Sequence, residues 1–396
     1  MPSIPLLPFD RDVSPLDPPS AYGRMRAEGP VRRIALPNGR DYWLVTGYHD
    51  IRSVLAHPGV SADPAHDDYP RIRADDRPPR PGSFITSDAP EHTRLRRMLT
   101  STFRHRNIER LKPAVAGLTR QLLDGIENGP RPADLVADFA QPLQTRVLCE
   151  LLGVPYQDHA LFQRIAHTIS DLEAPGAEVA AARTELSDYL LKLLERKDRD
   201  PGEDLFSELA VHRVRTGELT SLEAAGMGTL LLFAGQEPTA NTLALSVLAL
   251  LRDPARAALL TAEPDAVPAA VEELLRHVTV IHFGMRRVAT EDITVGDVTI
   301  RAGEGIILPL QSANRDERVY DDPDTLDLRR AAQQHVAFGF GVHQCIGQPL
   351  ARAELRIALP ALLGRFPGLR LAVPEDRLVF RDQAVVYGVR ELPVTW

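Results

Sequence analysis

Between Glu91 and about Leu260, apolar residues recur at three- and four-residue spacing, the pattern of helices that each bury one stripe. It predicts helices over Glu91–Phe103, Ile108–Asn128, Leu143–Leu152, Ala160–Ile169, Glu178–Arg196, Leu205–Arg215 and Ser221–Leu251. Thr220 and Glu223 have capping-box spacing at the start of the last one. Pro268–Arg276 reads as a further helix, its proline suited to the first turn. Outside this block the period changes. Arg33–Pro37 and Tyr42–Thr46 read as strands around a turn at Asn38-Gly39. Residues 62–90 lack periodicity and hold six prolines, so they predict a long loop, and loops of that length are usually functional. Short strands are expected at Arg287–Ala289, Ile293–Val295, Val298–Ile300 and Gly305–Pro309, followed by an irregular stretch from Ser312 to Gly341. A helix over Ile346–Gly364 and strands near Leu369–Ala372 and Val385–Gly388 complete the pattern. No linker interrupts it. The expected fold is one domain over residues 1–396, mainly α with small β-sheets, an α+β arrangement.

Composition narrows the function classes. Hydrophobic residues make up 44% and charged residues 25% of 396, an ordinary globular balance that excludes disorder, collagen and disulfide scaffolds. A chain of this length can bury a sizeable core and enclose a large cofactor. With 46 basic and 54 acidic residues the net charge is −8, so a general nucleic-acid binder is excluded. Two cysteines, Cys149 and Cys345, cannot build a disulfide framework or a four-cysteine zinc site. Met1–Asp10 has no basic region followed by an apolar run, so no signal peptide and a cytoplasmic setting are expected. Between Glu223 and Arg252 the only charge is Glu237. A carboxylate at mid-span, with Pro238 and Asn241 beside it, argues for a helix buried in a soluble core and against a membrane span.

The chemistry concentrates at Cys345. It stands in Phe338-Gly-Phe-Gly-Val-His-Gln-Cys-Ile-Gly347, where glycines permit a tight backbone, and a helix is predicted just after it. Backbone N–H groups at a helix start stabilise a thiolate, which is then a metal ligand or a nucleophile. The alternative is an inert buried thiol. Cys149, within the apolar run Val147–Leu152, fits that alternative; Cys345, among glycine, aromatic and polar neighbours, does not.

The pattern Phe-x-x-Gly-x-His-x-Cys-x-Gly from Phe338 to Gly347 resembles the haem-binding loop of the cytochromes P450. Other segments fit the same family. Glu273-Leu-Leu-Arg276 resembles its Glu-x-x-Arg helix motif, and Arg330 the third member of that structural ion-pair cluster. Asp88–Arg96 resembles the start of the helix whose His92 and Arg96 contact the haem propionates; Arg287 and His343 resemble the remaining propionate contacts. Phe233-Ala234-Gly235-Gln-Glu237-Pro238-Thr239 resembles the family's oxygen-binding groove, where small Ala234 and Gly235 let the helix pass close to the haem. The ending Val386–Trp396 resembles soluble actinobacterial members of secondary metabolism.

The resemblance implies haem b lying between the long central helix and the cysteine-loop helix. It makes Cys345 the axial metal ligand, Phe338 and Gly347 part of the cofactor loop, and Glu237 the acid that assists proton delivery. It implies a pocket including Phe233, Ile281, His282, Phe283 and Val385, also lined by residues 62–87 and by the helix pair around 165–190. Electrons would come from NAD(P)H through an external ferredoxin and reductase. Seven basic residues between Arg94 and Lys112, against the single acid Glu109, would be the ferredoxin's docking patch on the cysteine side. A monomer acting on a small molecule, with no nucleic-acid or membrane partner, follows.

One departure stands out. The family places Thr after the acid, as a proton relay to bound oxygen; here Pro238 stands there and Thr239 comes one step later, about 100° around the helix. Proline has neither hydroxyl nor N–H and should kink the helix. Protons would then come through water, the substrate or Glu237 alone, or oxygen insertion is not the productive end. The expected activity is therefore natural-product hydroxylation, with oxidative coupling that forms C–C, C–N or C–S bonds as the alternative. Peroxygenases of the family also carry Pro here but with Arg in place of the acid, which Glu237 argues against. A non-catalytic haem sensor or carrier is the reading from another class.

Overall fold

The computed structural model describes residues 7, 9–36, 38–71, 81–170 and 174–396. Along the chain the elements are α1 (Ser20–Glu28), β1 (Val31–Ala35), β2 (Asp41–Val45), α2 (Tyr48–Ala56), β3 (Val60–Ser61), α3 (Glu91–Thr100), α4 (His105–Glu127), β4 (Ala133–Asp134), α5 (Gln141–Leu152), α6 (His159–Ser170), α7 (Gly176–Arg199), α8 (Leu205–Leu209), α9 (Ser221–Leu251), α10 (Pro254–Ala262), α11 (Val267–His277), β5 (Met285–Ala289), β6 (Ile293–Val295), β7 (Val298–Ile300), β8 (Gly305–Leu308), α12 (Leu310–Ala313), α13 (Gln348–Arg365), β9 (Arg370–Leu371) and β10 (Pro393–Thr395). The backbone groups into two compact units.

The first unit takes residues 1–79, 85–92 and 253–348. It holds a five-stranded sheet in the order β1-β2-β8-β5-β3. The β1–β2 pair is antiparallel with Val31 opposite Val45 and Ala35 opposite Asp41, and Gly39 supplies the left-handed residue (φ 75°) of the predicted turn. Strand β2 then runs parallel to β8, Trp43 beside Ile306. Val45, Tyr48, Ile51, Ile306, Leu308 and Val336 belong to the core under this sheet.

The second unit takes residues 80–84, 93–252 and 349–396 and is mostly helical. Its axis is α9, which packs on α5, α6 and α7. The Thr220–Glu223 capping box forms as the spacing predicted. Pro238 lies inside α9, which remains one helix from Ser221 to Leu251. Close approach sets the entry to α9. A Cβ on Gly226 would lie 1.8 Å from the Pro81 carbonyl oxygen, and Gly82 has φ +84° against the Glu223 backbone.

Three expectations are corrected. The strand at Val385–Gly388 does not form; the segment folds back on itself through the isolated bridge between Phe380 and Val389 and the bond from Arg381 N–H to the Gly388 carbonyl, 2.8 Å. Leu205–Arg215 is not one α-helix: α8 ends at Leu209 and a π-turn covers Ala210–Val214. The helix after Cys345 starts at Gln348 rather than Ile346. Helices α1 and α2 flank the expected strand pair and were not expected; each is nine residues long and too short to show a clear period. Parts of the predicted pocket segments 62–87 and 165–190 fall at 72–80 and 171–173, outside the described residues, as does most of Met1–Asp10.

Candidate functional site

In the first unit, the backbone from Phe338 to Cys345 closes on itself: the Cys345 N–H donates to the Phe338 carbonyl at 2.9 Å. Gly339 and Gly341 take φ of 72° and 75°, and a Cβ on Gly341 would meet the Leu55 carbonyl oxygen at 2.5 Å. Glycine is therefore required at 341 by both conformation and space. Cys345 ends this loop exposed, three residues before α13 begins. Cys149 is the opposite case: it is buried, and burial, with Asp158 behind it, pushes its thiol up to about 11. Of the two, only Cys345 is exposed. Phe338, half-buried, has its ring centroid 5.8 Å from that of His335, and Gly347 is also half-buried.

His343 of this loop meets a second imidazole within the same unit, which also holds a buried cation. The His343 and His92 rings lie 4.2 Å apart, with His92 4% exposed. Arg287, on β5, is 4% exposed, donates to the Arg286 carbonyl at 2.7 Å and makes no ion pair among the described residues. Burial pushes its guanidinium below its ordinary value, opposed by Tyr69 and Asp88. A buried guanidinium without a carboxylate partner is matched by an anion. Haem carries carboxylates for such a cation and an iron that takes a thiolate, so these residues fit the group. Arg96, four residues after His92 on α3, is half-buried.

Glu273 and Arg276 on α11 are both fully buried and pair through two bonds, 2.7 and 2.8 Å. Arg276 also donates to the carbonyls of Asn314, Pro323 and Thr325, and Arg330 reaches Glu273 at 3.2 Å. The predicted trio is thus brought together, and it fixes the irregular chain before the cysteine loop. His282 and Phe283 are buried, their rings edge to face at 5.1 Å, with Gln311 donating to the His282 carbonyl; Ile281 is half-buried.

In the second unit, α9 turns an open patch outward at mid-helix: Ala234 is exposed, and Phe233, Gly235, Pro238 and Thr239 are half-buried between buried ends. A Cβ on Gly235 would lie 2.9 Å from Leu148, so its smallness also admits α5. Glu237 is 7% exposed and ion-paired with Arg381. One turn on, Gly388 abuts the Asn241 side chain. The segment 380–389, with half-buried Val385, is thereby strapped to α9 at two points. Thr239 lines a small cavity together with Gln144 and Glu354. Sequence reasoning missed Arg381, whose contact spans 144 residues, and Glu354, which was visible as a lone acid on the apolar stripe of Leu350 and Ala358. Of the seven basic residues, Arg94, Arg110 and Lys112 are paired with acids, while Arg97, Arg104 and Arg106 are exposed. Among the described residues no helix is long and apolar enough to cross a membrane.

Comparison with known proteins agrees with the loop. The family model for cytochrome P450 matches residues 150–369. Cytochrome P450-SU2 of Streptomyces griseolus is 48% identical over 386 residues, 96% of this chain and 94% of the relative. The crystal structure of GfsF superposes with a TM-score of 0.93 at 43% identity, covering 99% of this chain and all of that one. SgvP, a proposed thioether synthase in griseoviridin tailoring, superposes at 0.94 with 40% identity over the whole of both chains.

Proposed function

Because the chain belongs to the cytochrome P450 family, and is a P450 monooxygenase of the actinobacterial secondary-metabolism type, we propose that it hydroxylates a small natural product, as one catalytic domain and a cytoplasmic monomer. The observation that carries this is the closed Phe338–Cys345 loop with its exposed cysteine. In this reading Cys345 would hold the iron of haem b through its thiolate. His92, Arg96, Arg287 and His343 hold the propionates with charge-assisted donors. Bound there, the haem supplies the activation of O₂ by electrons and protons. Ala234 keeps the outward face of α9 low, and Glu237, fixed by Arg381, takes and gives protons at its carboxylate. Phe233, Ile281, His282, Phe283 and Val385 orient the substrate. Electrons come from NAD(P)H through a reductase and an acidic ferredoxin that meets exposed Arg97, Arg104 and Arg106.

Carbon monoxide tests the ligand. The reduced wild type is expected to give the red-shifted spectrum of thiolate-bound haem; Cys345→Ser loses it and Cys149→Ser keeps it. Retention in Cys345→Ser would end the reading.

Pro238 favours a second reading, oxidative coupling without oxygen insertion. It leaves no hydroxyl after Glu237, so protons are drawn from substrate N–H or O–H groups. Those groups are then placed to lose hydrogen and join to carbon or sulfur. The likeness to SgvP supports it. Turnover under ¹⁸O₂ separates the two: a product carrying one labelled atom means hydroxylation, an unlabelled product two hydrogens lighter means coupling.

A further inference from the structure

The helical unit holds a cavity of about 570 Å³, lined by none of the residues that the P450 reading assigns to haem or substrate. That is the size of a small-molecule site. Its walls come from the turn before α4, the start of α4, the end of α5, the residues after α7, and α8 with the π-turn that follows. Leu111, Leu151, Leu205 and Val211 give it an apolar side. The π-turn Ala210–Val214, a rare conformation that recurs at functional sites, carries Val211 and His212 into the wall.

The charges on this wall do not balance. Arg110 pairs with Glu203 at 3.3 Å, and Asp204 with Lys197 at 2.5 Å. Glu150 makes no ion pair among the described residues, and Glu208 accepts there only from the Ser101 hydroxyl at 3.3 Å. Two carboxylates are thus left without a cation. Thr102, on the same wall, is 8% exposed, and its hydroxyl makes no hydrogen bond among the described residues. An unpartnered buried hydroxyl beside unanswered carboxylates calls for a positively charged N–H donor. A metal ion is the poorer match: among the described residues no three His, Cys, Asp or Glu are grouped to hold one, and a bare ion makes no use of the apolar side.

We propose that this cavity binds a small organic cation of the alkylammonium class, its charge facing Glu150 and Glu208 and its hydrocarbon stem lying on the four aliphatic side chains. The site goes beyond the P450 reading and does not rest on it.

Calorimetric titration of the haem-loaded protein with n-hexylammonium, at pH 8 and low salt, tests this. Saturable one-to-one binding is expected, weakened tenfold or more in Glu150→Gln/Glu208→Gln and lost in Val211→Trp, whose indole fills the apolar side. Hexan-1-ol, the same stem without the charge, should bind at least tenfold more weakly. Circular dichroism checks that both variants are folded. The haem spectrum is followed alongside, because an amine also ligates iron; that binding shifts the spectrum and is equal in all three proteins. An affinity unchanged in the double variant overturns the site. Hexan-1-ol binding as tightly as the amine overturns the role of the carboxylates, and displacement of hexylammonium by an equal concentration of magnesium assigns them to a metal instead. The carbon-monoxide spectrum of the wild type reports separately on the P450 reading, whose failure would leave the titration standing.

Discussion

Arg276 places five hydrogen bonds from a fully buried guanidinium, two on Glu273 and three on backbone carbonyls. Glu273 accepts in turn from Arg330 and from the Asp327 N–H at 3.0 Å. Every charge in the cluster is answered, the condition under which a buried ion pair is tolerated; removing one partner of such a pair costs roughly 3–5 kcal/mol. Glu354 meets its buried environment differently, with no cation to answer it. In the unfolded chain its carboxyl titrates near 4.5, while in the folded chain it keeps its proton to higher pH. The folded state thus binds the extra proton above pH 4.5, and its stability falls as pH rises. Glu354→Gln, which has no proton to lose, should gain on the wild type from pH 5 to pH 7, by up to about 1.4 kcal/mol per pH unit. Urea unfolding at three pH values checks this; a stability difference independent of pH would contradict it.

At the scale of elements, α9 and the strap 380–389 belong together. The side chains of Arg381 and Glu237 are 11% and 8% exposed, so neither is well solvated, and the strap holds single bridge residues rather than a strand. Arg381→Gln leaves Glu237 buried without its cation and should cost roughly 3–5 kcal/mol, whereas Arg381→Lys keeps the charge and most of the stability. The double variant Arg381→Gln/Glu237→Gln should recover most of the loss, because no charge is then stranded. Additive losses in that cycle would show that the two side chains do not support each other. The same logic explains the missed strand at Val385–Gly388: its apolar run suggested a ladder, but Gly388 packs on Asn241 and Arg381 is committed to α9.

At the scale of the whole molecule, a net charge of −8 coexists with exposed Arg97, Arg104 and Arg106 on α3, α4 and the turn joining them. Pairing withdraws Arg94, Arg110 and Lys112 from the patch, so the field it offers is narrower than the count of seven suggested. Reduction by an acidic ferredoxin should slow steeply as salt rises, since the Debye length shrinks from about 10 Å at 0.1 M to about 3 Å at 1 M. Changing the three exposed arginines to glutamate should lower the bimolecular rate by more than tenfold at low salt and flatten its salt dependence. Stopped-flow reduction across a salt series reads both; an unchanged rate in the triple variant would place docking elsewhere.

The sequence by itself determined what depends on short range. The period of α9, its capping box and the glycines around Cys345 follow from spacing and backbone conformation, and each formed where the residues pointed. The Glu273–Arg276 pair was legible because three residues on a helix bring side chains to one face. The tertiary structure alone decided which partners distant residues receive. Glu237 meets Arg381 across 144 positions, Gln144 shares a cavity with Glu354, and Gly235 serves Leu148. Each of these depends on the packing of helices far apart in the chain, and periodicity gives the face a residue occupies but not the element that covers it.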